Sequence, residues 1–232
     1  MFVHQLAKFA RKRMPPSIFA GLRRVATALF TPIAFSYQTG HFRSSLKAKA
    51  LDNFGKPLPW YTYPAIDFLR NKQTLGKSVL EFGAGQSTLW WAQRVQRVVA
   101  IEDNESWFAH LLGRVPTNVQ LILTDRDASN LETLNESAFD LIVVDGLNRF
   151  LCAQKAIPLL NEGGAIILDN SEGSWGPNGE YPIIDLFRAK GFSRIDFYGY
   201  APGVILPACT SFFFKNDCFL LCGSENPARM VH

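Results

Sequence analysis

Apolar and polar positions follow two alternating rhythms through residues 78–222. Ser78-Val79-Leu80-Glu81-Phe82 is a short apolar run closed by Gly83, the pattern of a buried strand. Arg97–Glu102, Val119–Leu123, Phe139–Val144 and Ala165–Leu168 repeat it. Between these runs the spacing lengthens to that of helices. Thr88–Val95 is one, Glu105–Leu112 is a second that stops at Gly113, and Arg149–Leu160 is a third, stopped by Asn161-Glu162-Gly163-Gly164. Strands apolar on both faces and separated by helices predict a parallel sheet covered on both sides. After Asn170 the rhythm changes. Pro182–Ala189 reads as a helix, and Phe192–Tyr198 and Ser211–Leu220 as strands joined by a loop carrying Pro202, Gly203 and Pro207. A closing hairpin of this kind makes the last strand antiparallel.

The first third of the chain has a different composition. Residues 57–77 form a Pro- and aromatic-rich lead-in, Pro57-Leu58-Pro59-Trp60-Tyr61-Thr62-Tyr63-Pro64, with a short helix from about Ala65. The expected organisation is a basic, partly helical extension over 1–56 and an α/β domain over 57–232. Residues 1–56 hold ten Lys or Arg and one acid, Asp52, whereas the rest of the chain holds 14 basic and 19 acidic residues. A leader with this excess of positive charge predicts an anionic partner. Its apolar stretches, Phe2–Phe9 and Ile18–Phe30, mix with Arg and Lys, which suits an interfacial helix on anionic lipid. Packing on the domain, or a contact between copies in a homo-oligomer, is the alternative. Arg23, Arg24 and Pro32 interrupt Ile18–Phe35, so neither a membrane span nor a signal peptide is predicted. The expected location is cytoplasmic, peripheral to the inner membrane face. The acidic domain shows no basic face, which disfavours nucleic acid. Cys152, Cys209, Cys218 and Cys222 lack metal-type spacing and read as free thiols. His41 and His110 read as ordinary surface or core residues.

Candidate chemistry gathers where the strands end. Glu81, Glu102, Asp125, Asp145 and Asp169 lie in or beside the last residues of five successive apolar runs. In a doubly wound sheet such positions share one rim, and ligands bind there. Gly83 and Gly85 occupy the first strand-to-helix turn, where the absence of a Cβ permits a tight turn or close approach to a ligand. Glu81 precedes them and would repel a diphosphate but attract an ammonium or sulfonium. Gln86-Ser87-Thr88 replaces the third glycine of a dinucleotide fingerprint. Ser87 or Thr88 can cap the helix or bond a carboxylate. Glu102 is placed to accept hydrogen bonds from ribose hydroxyls, and Asp125 to meet an adenine amino group or to cap a turn. Asp145 is the leading candidate for work near an acceptor, with Arg149 one helical turn on to pair with it or to orient an anionic substrate. Asp145, Asp169 and Asn170 supply oxygen ligands of the type Mg²⁺ takes. The glycine-flanked loop around Trp175 is a candidate lid.

As a set these residues resemble the class I S-adenosylmethionine-dependent methyltransferases. Val79-Leu80-Glu81-Phe82-Gly83-Ala84-Gly85-Gln86-Ser87-Thr88 is similar to the first motif of that family. Ile101-Glu102, Asp125, Phe139–Gly146 and Gly163–Asn170 fall where its later motifs belong. The resemblance covers roughly residues 57–222. It implies a Rossmann-like, mostly parallel seven-stranded sheet with helices on both faces and an antiparallel last strand. It implies that Glu81, Gly83 and Gly85 hold the methionine part of S-adenosylmethionine and Glu102 the ribose, with Tyr61 and Thr62 covering the cofactor. Pro59-Trp60-Tyr61-Thr62-Tyr63-Pro64 and Val144-Asp145-Gly146-x-x-Arg149 further resemble a bacterial subgroup associated with cell-surface saccharide genes. The arrangement Asp145…Asp169-Asn170 resembles the metal site of catechol-type O-methyltransferases. The function expected is O-methylation of a small molecule, sugar or glycolipid. The alternatives are an NAD(P)-binding oxidoreductase and a non-catalytic cofactor-binding module acting through its basic leader.

Overall fold

The computed structural model describes residues 14–125, 134, 139–146, 148–173 and 182–222. Three helices precede the sheet: α1 (Pro16–Gln38), α2 (His41–Lys47) and α3 (Tyr63–Arg70). Then come β1 (Ser78–Phe82), α4 (Gln86–Ala92), β2 (Arg97–Glu102), α5 (Glu105–Leu111), β3 (Val119–Leu123), β4 (Phe139–Val144), α6 (Arg149–Leu159), β5 (Leu160–Leu168), α7 (Pro182–Ala189), β6 (Ser193–Gly199) and β7 (Ala208–Phe214). The strands form one seven-stranded sheet in the order β3-β2-β1-β4-β5-β7-β6. β1 to β5 are parallel, and β7 runs antiparallel to both β5 and β6. This is the doubly wound sheet with an antiparallel last strand that the sequence predicts.

Period-two alternation assigns the strand side chains to two cores. Val79, Val98, Ala100, Leu141, Val143, Ala165, Ile167 and Phe212 pack on one face with α3 and the paired Trp90 and Trp91 of α4. Leu80, Val99, Ile101, Ile142, Val144, Ile166, Leu168 and Phe213 pack on the other with α6 and α7. Both faces are dry, which is why the strands read as unbroken apolar runs. The order of strand addition across the sheet reverses between the parallel β1 and β4, so the loops after these two strands flank the crevice of the switch point.

Several boundaries differ from the sequence reading. β5 begins at Leu160, not Ala165, because Leu160 pairs with Phe139 before the register shifts and Leu141 pairs with Ala165. The residues read as a helix stop therefore form an irregularity in the strand. Within it, a Cβ on Gly164 would lie 2.7 Å from the Asp140 carbonyl oxygen. β7 spans Ala208–Phe214 rather than 211–220, since the polar Lys215-Asn216-Asp217 turns the chain and Asp217 adopts a left-handed φ of 67°. Pro32 does not break the first long helix: α1 continues through it to Gln38. By length and composition α1 also qualifies as a membrane-crossing helix, contrary to the sequence reading. None of its residues is buried. Trp175 lies outside the described residues.

Candidate active site

The rim residues belong to the ends of β1, β2, β4 and β5 and to the lead-in before α3. Glu81 is fully buried one residue before the end of β1. Thr88, in the first turn of α4, accepts from the Gly85 amide at 2.8 Å and donates to Glu81 Oε2. One oxygen is thus clamped, and the other, Oε1, has no hydrogen-bond partner among the described residues. Burial raises the Glu81 pKa to about 8, helped by the charges of Asp145 and Glu102 and opposed by the Ser87 and Thr88 hydroxyls. The side chain is sealed from solvent, so direct contact with a ligand requires the segments above it to part.

The glycines divide their work. Gly83 sits at a φ of 98°, and a Cβ there would come within 3.0 Å of the Gly146 backbone. Gly146 in turn lets the loop after β4 press on the end of β1, where the Asp145 amide donates to the Phe82 carbonyl at 3.0 Å. Gly83 therefore serves the contact between two loops. Gly85 has extended backbone, and its missing Cβ would point into open space.

Glu102 braces the same turn. Its Oε2 accepts from the Ala84 amide at 3.1 Å and its Oε1 from the Asn104 amide at 2.9 Å. Each oxygen keeps acceptor capacity beyond these bonds. Burial raises its pKa, against the pull of the backbone donors. Trp107 of α5 donates from Nε1 to the Ala84 carbonyl at 2.7 Å and so fixes the outer edge of the turn. Asp125 lies beyond β3 and is exposed.

Across the switch point, Asp145 accepts from Arg149 at 2.7 Å, with the carboxylate about a quarter exposed (24%) and the guanidinium 10% exposed. Asp169 is buried and accepts from the Thr210 hydroxyl at 2.7 Å. Thr210 Oγ1 itself accepts from the Thr62 amide at 3.0 Å, so the lead-in and β7 together orient the Asp169 carboxyl. Burial pushes both aspartate pKa values up, Asp169 the further because Asp145 stands beside it, while Arg149 pulls Asp145 down. Asn170 follows with a left-handed φ of 51°.

Two expectations need correction. Thr62 was expected over the cofactor, but it is fully buried and donates from Oγ1 to the Phe197 carbonyl at 2.9 Å. Its hydrogen bonds attach the lead-in to β6 and β7. Tyr61 is likewise buried in the core, its hydroxyl accepting from Trp91 Nε1 at 3.2 Å. Burial and the neighbouring charges of Glu81, Asp145 and Asp169 raise its pKa well above the ordinary value. It therefore underlies the acid cluster instead of covering a ligand.

The Mg²⁺ expectation fares poorly on geometry. Asp145 and Asp169 do come together with Asn170 alongside. The Asp145 oxygen nearest Arg149 is already held by a guanidinium, and Asp169 spends Oδ1 on Thr210. A divalent ion would have to compete with Arg149 for the same carboxylate. Among the described residues no group of three or more His, Cys, Asp or Glu could hold a metal. The donor set does not fit. The four cysteines are free thiols, three buried and Cys222 exposed.

Trp107 and Thr210 escaped the candidate set. Of Ser87 and Thr88, either of which the sequence allows to bond a carboxylate, the rotation of α4 sets Thr88 on Glu81 Oε2. Trp107 and Thr210 carry no local signal, since their roles arise from packing between distant segments.

Residues 80–171 match the family model described as a methyltransferase domain. No curated protein matches the chain. Among solved structures it is similar to precorrin-6y C5,15-methyltransferase from Geobacter metallireducens, with a TM-score of 0.53 and 15% identity over 66% of this chain and 87% of that one. It is also similar to the N-methyltransferase NodS from Bradyrhizobium japonicum in complex with S-adenosylhomocysteine, with a TM-score of 0.51 and 15% identity over 76% of this chain and 99% of that one. At these identities the likeness is one of fold: the chain has the Rossmann-like fold of methyltransferases.

Proposed function

We propose that this chain transfers a methyl group from S-adenosylmethionine to a hydroxyl oxygen of a small molecule, a sugar or a glycolipid. The observation that carries the reading is the acid cluster of buried Glu81 and Asp169 and part-exposed Asp145 at the switch point, with Glu81 Oε1 lacking a hydrogen-bond partner among the described residues. Three carboxyl groups with raised pKa values form a site that gains from a cation and resists a diphosphate. That contrast favours a sulfonium and ammonium ligand over a nicotinamide dinucleotide. The methyltransferase model over residues 80–171 supports the same choice.

When bound, S-adenosylmethionine supplies a methyl group already activated by its positive sulfur. The protein must then align the acceptor, exclude water and take up the hydroxyl proton. Glu81 and Glu102 are the residues that would hold the cofactor, the first by charge and the second by its remaining acceptor sites. Asp145 is the acid of the cluster that reaches solvent, so it is the group placed to receive the acceptor proton. Arg149 holds that carboxylate in one orientation at 2.7 Å. No step is assigned to a metal.

Calorimetry and a methyl-transfer assay test the reading. S-adenosylhomocysteine should bind and NAD should not; the reverse result overturns it. With a panel of hydroxyl acceptors, Asp145→Asn should lower kcat roughly 10²–10⁴-fold, the range of general base catalysis. Exhaustive chelation should leave turnover unchanged.

A further inference from the structure

We propose that α1 and the loop between β6 and β7 form a docking surface for an anionic lipid bilayer, with α1 lying along the membrane surface. At about 100° per residue, Ile18, Leu22, Val25, Leu29 and Ile33 fall within about 80° of arc. All five are more than half exposed along a helix that buries no residue. Arg23, Arg24, Thr27 and Thr31 occupy the other side. Phe35 also lies off the apolar arc. It meets the domain edge-on to Tyr63 at 5.4 Å between ring centres. The apolar arc thus points away from the contact that anchors the helix.

A second apolar surface is fixed to the same anchor. Ile205 and Leu206 are 86% and 70% exposed at the tip of the β6–β7 loop. The loop is held firmly: Gly203 donates its amide to His41 Nδ1 at 3.3 Å, and Trp60 Nε1 donates to the Pro202 carbonyl at 3.0 Å. A Cβ on Gly203 would meet the Ser44 backbone of α2 at 2.8 Å. The exposed tip is therefore a supported projection. β6 runs parallel to β1–β5, which sets this loop at the same rim as Glu81 and Asp145.

Charge selects the occupant. No acid precedes Asp52 in the chain, whereas Arg23, Arg24, Arg43, Lys47 and Lys49 flank or occupy these helices. A second copy would bring the same cations with no carboxylate to meet them along α1. An anionic bilayer supplies both negative charge and an apolar interior. A span across the membrane fits less well: the whole of α1 is long enough, but Arg23 and Arg24 divide it and leave the uncharged Val25–Tyr37 only about 20 Å long against a hydrocarbon core of about 30 Å. The docking surface stands apart from the methyl-transfer reading. One consequence rests on that reading: a rim held at the bilayer takes an acceptor presented there, such as a lipid-linked hydroxyl.

The test is flotation of the full chain with phosphatidylcholine vesicles, with and without phosphatidylglycerol, alongside calorimetry with S-adenosylhomocysteine. The wild type should float with the anionic vesicles, and raised salt should weaken this. Leu22→Asp with Leu29→Asp should cut partitioning roughly ten-fold or more, and Ile205→Ser with Leu206→Ser should cut it several-fold. Both variants should bind S-adenosylhomocysteine as the wild type does, which shows that they fold. Failure to float, or flotation that neither variant changes, overturns the proposal. So does a dimer in vesicle-free solution that the α1 variant dissociates, or chain that resists alkaline extraction as a spanning helix would. Loss of S-adenosylhomocysteine binding by the wild type would instead sink the methyl-transfer reading and leave the docking result to stand alone.

Discussion

At the scale of single residues the site is governed by Glu81. Its carboxyl is neutral over most of the physiological range because burial raises its pKa to about 8 from an ordinary value of 4.5. In the folded protein this acid binds a proton more tightly than in the unfolded chain. The stabilisation is fully present below pH 4.5 and is lost as pH rises through about 8. Glu81→Gln removes that titration, so the melting temperature of the variant should fall less than that of the wild type between about pH 5 and pH 8, roughly the span of the shift. A cationic ligand reverses the preference. S-adenosylhomocysteine, through its ammonium group, should bind the ionised form and release up to one proton near pH 7, seen as a calorimetric enthalpy that depends on the buffer. Affinity should rise with pH until about 8 and then level. For Glu81→Gln it should be pH-independent there and roughly 10–100-fold weaker, the scale of one charged hydrogen bond. A wild-type enthalpy identical in all buffers would mean that the carboxyl does not change state on binding.

At the scale of elements, the glycine turn separates two functions that look alike in sequence. Gly83→Ala forces a side chain into a left-handed φ against the Gly146 backbone and should cost about 1–3 kcal/mol of stability. Gly85→Ala should leave thermal stability within about 0.5 kcal/mol and weaken S-adenosylhomocysteine binding, since its Cβ enters open space at the mouth of the turn. Denaturant melts and calorimetry on the two variants check the contrast. The strands themselves were legible because each is buried on both faces, so Val98-Val99-Ala100-Ile101 or Leu141-Ile142-Val143-Val144 leaves no other reading. The acids were legible because a carboxyl at the end of such a run is conspicuous. Contacts that cross the chain were not. Thr210 meets Asp169 from 41 residues away, and Thr62 turned out to bind strand carbonyl and hydroxyl groups that nothing beside it announces. The early start of β5 escaped for the same reason, since the pairing of Leu160 depends on Phe139 in another strand. Pro32 interrupts the apolar run but not the helix, since a proline removes only one ladder donor and a long helix can continue around it.

At the scale of the whole molecule, charge and burial divide the chain at different places. α1 contributes no buried residue, and among the described residues its ring contacts are those of Phe35 with Tyr63 and His41. The segment after it is different in kind: Ser44 bonds the Leu51 backbone through both donor and acceptor, and Ala50 is buried in the core beneath α3. The structural unit that holds the rim therefore reaches back to about Gly40, well inside the basic extension. A chain starting at Thr39 should melt within about 2–4 °C of the full protein, the shift that about 1 kcal/mol makes in a domain of this size. It should also bind S-adenosylhomocysteine unchanged. A chain starting at Lys56 strips Ser44, Ala50 and the His41 bridge to Gly203, and should melt markedly lower. Equal melting of the two truncations would show that residues 40–55 carry no part of the fold, and would leave the β6–β7 loop without the support from His41 and Ser44 that makes it a fixed projection.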